Sequence, residues 1–209
     1  MGGTATSGGF WSLARTAACL RRRAGARKAL PALLFFTDPE RTPDAEATAD
    51  RLPPGSGVVF RAFGASDAVA RGRRLAAVAG ARRLILLAGA DEILAAAIGA
   101  TGVHLPERLA GQARRLKARR RGWMVTAAAH SVRAGRIALA AGADAVVVSP
   151  AFTSNSPSAG RPLGPVRLAL MVKAIGGPAY ALGGLNNKTA RRLLDAGLIG
   201  LAAVEGLRT

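Results

Sequence analysis

The residues best suited to chemistry are two histidines, a set of glycine pairs and a hydroxyl-rich stretch. His104 and His130 are the only imidazoles in the chain. Neutral imidazole can take and return a proton near neutral pH, which fits a general acid or base. His130 lies between an apolar run and a helical segment and is the candidate for that role. His104 closes a Gly-Val-His-Leu run and is read as a packed residue at the rim of a core. The backbone at Gly183 and Gly184, and again at Val204, Glu205 and Gly206, can approach an anion closely, because glycine lets oxygen atoms come near the amides. Ser154 and Ser156, in a loop that also holds Thr153 and Asn155, can donate hydrogen bonds to a phosphorylated ligand. Arg61 supplies a fixed positive charge. There is no His-Glu-x-x-His pattern and no Cys/His cluster, so no protein-built metal site is expected.

Composition narrows the field. The chain has 209 residues, which fits a single domain. Half of them are hydrophobic and 20% are charged, enough for a sizeable core. No apolar run reaches about 18 residues without a charge or a turn signal, so no membrane span is expected. Cys19 is the only cysteine, which excludes an intrachain disulfide and suits a reducing, cytoplasmic setting. The net charge is +18, from 30 basic and 12 acidic residues. A polyanion partner would explain it, and so would a solvated arginine-rich surface. Aromatic residues make up only 4%, poor material for base stacking, so a nucleic-acid role is not expected.

These residues need a scaffold to bring them together, and the pattern of the chain supplies one. Residues 1–29 form a basic N-terminal segment; within it, 10–28 has the spacing of an amphipathic helix packed on the domain. Its Arg-rich, acid-free composition also suits a targeting segment. From residue 30 to 209, short apolar runs recur at 32–37, 57–62, 83–88, 102–105, 124–127, 145–149, 179–182 and 200–204. They are near-continuous apolar runs rather than alternating ones, as strands buried on both faces should be. Helical spacing fills the gaps at 44–52, 65–79, 91–98, 109–121, 132–141, 165–175 and 187–196. Gly80, Gly99, Gly122, Gly142, Gly176 and Gly197 stand where glycine would end a helix in the left-handed conformation. Eight strands alternating with helices imply parallel crossovers and an α/β fold, a single (β/α)8 TIM barrel with an extra N-terminal helix. No Gly-x-Gly-x-x-Gly follows the first strand, which counts against a dinucleotide-binding sheet.

In such a barrel, function gathers at the C-terminal ends of the strands. Asp38, Arg61, His104, His130, Ser149, the 153–156 loop, Gly183, Gly184 and Glu205 all fall there, from seven of the eight strands. The loops after strands seven and eight are where many barrels bind phosphate, using bare amides and a helix N-terminus. Glu205 brings a negative charge to the same place, which suits an anion only if its side chain points away.

At these residues the chain resembles the thiamine phosphate synthase/TenI family. The likeness spans roughly residues 31–207. It is carried by Phe36-Thr37-Asp38, the 99–105 stretch Gly-Ala-Thr-Gly-Val-His-Leu, His130-Ser131, the 142–152 stretch ending Ser149-Pro150-Ala151-Phe152, Ala181-Leu182-Gly183-Gly184-Leu185, and Gly200-Leu201-Ala202-Ala203-Val204. Any one piece is weak; their order and spacing together are specific. The resemblance implies a barrel, and an activity that in the synthases joins a pyrimidine diphosphate to a thiazole phosphate, with Mg²⁺ on the diphosphate.

The chain departs from the synthase pattern at several positions. The Gln-Leu-Arg-x-Lys motif reads Val59-Phe60-Arg61-Ala62-Phe63, keeping the arginine alone. The Asn-Asp pair falls at Gly89-Ala90, and the second magnesium aspartate falls near Leu109. The serine after strand five falls at Ala128, and Thr-x-Thr-Lys reads Ser154-Asn155-Ser156-Pro157. A departing diphosphate needs its charge stabilised, and these losses remove the expected means. Asp38, Asp91 or Glu107 would have to rebuild a metal site. The retained half is the one that holds a single phosphate. This matches the TenI branch, whose members bind a thiazole phosphate and in some cases shift its double bond to the aromatic isomer, with a histidine at the position of His130.

The expectation is therefore a thiamine-biosynthesis protein that binds a thiazole phosphate. His130 is catalytic in a tautomerase-like isomerisation. Arg61, Ser154, Ser156, Gly183, Gly184, Val204 and Glu205 bind the substrate. No cofactor is expected, with Mg²⁺ required only by a working synthase. The alternatives are a thiamine phosphate synthase and a non-catalytic sensor of the phosphorylated ligand. Its partner is a phosphorylated small molecule rather than nucleic acid or membrane, and an oligomer is compatible with the sequence.

Overall fold

The computed structural model describes residues 7–25, 30–154 and 160–207. Eight parallel strands close into a barrel in strict chain order: β1 (Leu33–Phe36), β2 (Gly57–Phe60), β3 (Ile85–Gly89), β4 (Gly102–Leu105), β5 (Met124–Ala129), β6 (Ala145–Val148), β7 (Ala179–Leu182) and β8 (Gly200–Ala203). The closing pair joins β1 to β8, with Leu34 opposite Ala202. Helices α1 (Ser7–Arg23), α2 (Ala45–Asp50), α3 (Ala68–Arg82), α4 (Glu92–Ala97), α5 (Ala113–Arg119), α6 (Val132–Ala140), α7 (Gly164–Ile175) and α8 (Asn187–Arg191) accompany them. All eight expected strands are present, and the fold is a (β/α)8 barrel.

The continuous apolar runs are explained by two cores. In β1, Leu33 and Phe35 face the helices while Leu34 and Phe36 fill the barrel. The same split separates Val58 and Phe60 from Val59, and Val146 and Val148 from Ala145 and Val147. A strand buried on both sides favours apolar residues throughout, and the polar pair His104 and Thr126 in β4 and β5 is buried only with a mutual hydrogen bond. The barrel floor is narrow, and glycine opens it. A Cβ on Gly102 would stand 2.0 Å from the Met124 carbonyl oxygen, and one on Gly200 would stand 2.2 Å from that of Ala32. The space is taken by large neighbours such as Leu34, Leu87 and Tyr180, all fully buried. The Tyr180 hydroxyl donates to the Pro31 carbonyl at 2.7 Å, tying the interior to the chain entering β1.

The N-terminal helix packs as the sequence leads one to expect. Leu13, Ala17 and Leu20 are buried, and α1 lies against α8, β8 and β1. Several element bounds shift, most visibly at two places. Gly80 lies inside α3, and the left-handed stop is made by Arg83 at φ 55°. The other five glycines do adopt positive φ. The last helix covers only 187–191 rather than 187–196, because 192–195 winds into tighter turns, such as the Leu193 amide on the Ala190 carbonyl.

Candidate functional site

At the C-terminal ends of the strands lies a cavity of about 400 Å³. Its wall includes Arg61, His130, Ser154, Gly183, Gly184, Val204 and Glu205, seven of the eight residues expected at the site. Ser156, the eighth, lies outside the described residues. Ser149 and Thr153, also expected at the strand ends, line it too, and the structure adds Arg41.

One side of the cavity is made of backbone. Gly183 and Gly184 follow β7 with φ of 100° and 62°. A Cβ on Gly184 would sit 2.3 Å from the Thr153 carbonyl oxygen, and one on Gly206 2.3 Å from that of Leu185. Glycine is thus what allows the loops after β6, β7 and β8 to nest and turn their backbone toward the cavity. Two of the amides at the N-terminus of α8 are engaged within the chain. In the first turn of α8 the amides of Lys188 and Thr189 donate to the Asn186 side chain at 2.9 and 3.0 Å, and the Asn186 amide donates to the Thr189 hydroxyl. This reciprocal cap uses the donors internally.

The other side is made of charged side chains. Asp38 follows β1 and accepts from the Arg41 guanidinium at 2.7 Å and from that of Arg61 at 3.1 Å, both on one carboxylate oxygen. Its second oxygen accepts from the backbone amides of Glu40 and Arg41. Arg61 Nε donates to the Thr37 carbonyl at 2.7 Å. Burial alone would push the Asp38 carboxyl up. The hydrogen bonds to Arg41 and the charges of both arginines outweigh it and hold the carboxyl below its usual value. Burial likewise lowers Arg61, partly offset by Asp38. Two guanidiniums against one carboxylate leave this side with one net positive charge. Arg41 carried no signal in the sequence, being one arginine among many, and only the turn after β1 reveals it.

The two histidines separate clearly. His104 points into the barrel, with Nδ1 2.9 Å from the Thr126 hydroxyl and its ring edge-on to Phe36 at 4.8 Å. Burial, aided by the Arg61 charge, pushes it down to about 3, so it is neutral at physiological pH. His130 is exposed on the cavity wall. Its Nδ1 lies 2.8 Å from Glu107 Oε2, which also accepts the His130 backbone amide at 2.7 Å.

The donor set does not suit Mg²⁺. Among the described residues no three His, Cys, Asp or Glu side chains gather as metal ligands. The three carboxylates that could rebuild a site are engaged elsewhere. Asp38 holds the arginines, Asp91 caps α4 through the Leu94 amide, and Glu107 holds His130. Octahedral Mg²⁺ needs carboxylate oxygens turned toward it.

Known proteins share this architecture and sequence pattern. The family model described as thiamine monophosphate synthase matches residues 33–207. A thiamine-phosphate synthase of Methanoculleus marisnigri is 34% identical over 117 residues, covering 54% of each chain. Relatives from Geobacter sulfurreducens and Aquifex aeolicus are 34% and 31% identical over 117 and 111 residues. The chain spans about half the length of the curated relatives it matches. Among solved structures, a thiamine phosphate pyrophosphorylase from Pyrococcus furiosus superposes with a TM-score of 0.70 at 22% identity, over 86% of this chain and 89% of that one. With a model matched from the first strand to the last turn, the chain belongs to the thiamine monophosphate synthase family.

Proposed function

We propose that the protein binds a thiazole phosphate and moves a proton on its ring, as a TenI-like tautomerase. The observation that carries this reading is the placement of His130 on the wall of the same cavity as Gly183 and Gly184. The phosphate would rest on the glycine side, with Ser154, Val204 and Glu205 around it. The thiazole ring would then lie toward the imidazole. His130 would take a proton from one ring position, and the imidazolium would return it at another. The double bond moves, no atom is lost, and no cofactor is required. A cytoplasmic setting and a phosphorylated small-molecule partner belong to this reading. Incubation of the non-aromatic thiazole phosphate with the protein, followed by NMR, tests it. The aromatic isomer should accumulate, and His130→Asn should slow its formation about 100-fold or more. Formation at the uncatalysed rate in the wild type sinks the proposal.

A second reading, thiamine phosphate synthase, is favoured by the name of the Methanoculleus relative. It predicts Mg²⁺-dependent thiamine phosphate formation from the pyrimidine diphosphate and the aromatic thiazole phosphate. The carboxylates already engaged by Arg41, Arg61 and His130 argue against it.

A further inference from the structure

We infer that Glu107 is the positioning residue for His130, fixing which ring nitrogen faces the cavity; the inference rests on the reading of His130 as the proton carrier. Glu107 lies in the short turn Glu107–Gln112 that follows β4, while His130 directly follows β5. One oxygen of Glu107 is shared by two donors of the same residue, the backbone amide at 2.7 Å and Nδ1 at 2.8 Å. A carboxylate accepts and does not donate, so Nδ1 must carry the hydrogen. In the neutral ring, Nε2 is then the basic lone pair, on the opposite edge from Glu107. His130 lines the cavity, and Glu107 is not part of its lining.

Three consequences follow from this geometry. The imidazole is held in the tautomer that can take a proton at Nε2. Its side-chain rotation is fixed relative to the strand end, because the amide and the ring are pinned to one oxygen. When the ring becomes charged during the transfer, an anion already lies within hydrogen-bond distance, so no group must move to stabilise it. Both groups are partly open to solvent, at 57% and 40% side-chain exposure, so the contribution is moderate rather than that of a buried dyad.

The alternative is that Glu107 only fastens its turn to the end of β5 through the backbone amide. Glu107→Ala and Glu107→Gln separate the two. ¹⁵N NMR of the His130 ring, at a pH where it is neutral, should show Nδ1–H in the wild type and a shift toward Nε2–H in Glu107→Ala. Isomerisation by Glu107→Ala should lose about tenfold to 100-fold in kcat, as for other residues that orient a functional imidazole, with KM unchanged within about twofold. Glu107→Gln keeps an accepting oxygen without the charge and should fall between. An unchanged tautomer together with unchanged kcat in Glu107→Ala overturns the inference. If that variant does not fold, Glu107→Gln decides, and kcat equal to wild type overturns it. If the wild type turns over nothing, the tautomerase reading fails, and the tautomer signal alone decides the role of Glu107.

Discussion

The two sides of the cavity are built by opposite means. On the β6, β7 and β8 side, the wall is largely backbone, shaped by Gly184 and Gly206, where a single added carbon collides, and by Gly183, held at a φ of 100°. On the β1 and β2 side, the wall is Arg41 and Arg61, both paired to Asp38. A backbone wall cannot be tuned gradually: it is present or it is blocked. A side-chain wall can gain or lose charge one residue at a time.

That contrast can be broken at several points, and the largest effect is expected at Gly184. Gly184→Val places a β-branched residue at φ 62° against the Thr153 carbonyl. Thermal or urea unfolding should show a loss of about 3 kcal/mol or more, from strain and overpacking together. Isothermal titration should show no measurable affinity for the thiazole phosphate in whatever protein stays folded. A loss below about 1 kcal/mol would show that the loops can part.

Next comes the floor beneath the arginine side. His104 is neutral in the fold because burial, then the Arg61 charge, lower it to about 3. Unfolded histidine titrates near 6.5. The unfolded chain therefore binds a proton that the folded one does not between these values, and stability must fall as pH drops from about 6.5 toward 3, by on the order of a few kcal/mol. Urea unfolding across that range checks the slope. In Arg61→Met the folded value should rise and the acid loss should shrink.

Arg61→Met should also weaken binding of the thiazole phosphate by roughly tenfold to 100-fold, the worth of a charge-assisted hydrogen bond. Arg41→Met should cost less, about threefold to tenfold, because Arg61 keeps its own bond to the Thr37 carbonyl. Both losses should shrink in high salt, whereas the Gly184 effect should not. Equal salt dependence for all three would remove the distinction between the two walls.

The barrel was readable because its strands are short, apolar and evenly spaced, and burial on both faces leaves few other structures open to them. Gly80 misled because α3 runs on past it, with open space where a Cβ would stand, and Arg83 took the left-handed turn instead. The glycine side of the cavity was legible from Gly183 and Gly184, since their position after the seventh run fixes their place in space. The charged side was only half legible. Arg61 sits in a recognisable position, but Arg41 joins it through a turn whose Asp38 bonds no linear pattern reveals. The same holds for Glu107 and His130, brought together by adjacent strands rather than by spacing along the chain.

The buried Tyr180 has a practical consequence. It is the sole tyrosine of the chain, and burial raises its hydroxyl above the ordinary value, with the Arg21 charge opposing. Ionised phenol absorbs at longer wavelength than neutral phenol, so alkaline absorbance reports one atom at the centre of the barrel. While the barrel stays closed, that signal should be delayed relative to free tyrosine. Its onset then times the moment when base reaches the interior, giving an optical clock for opening that needs neither a label nor a ligand.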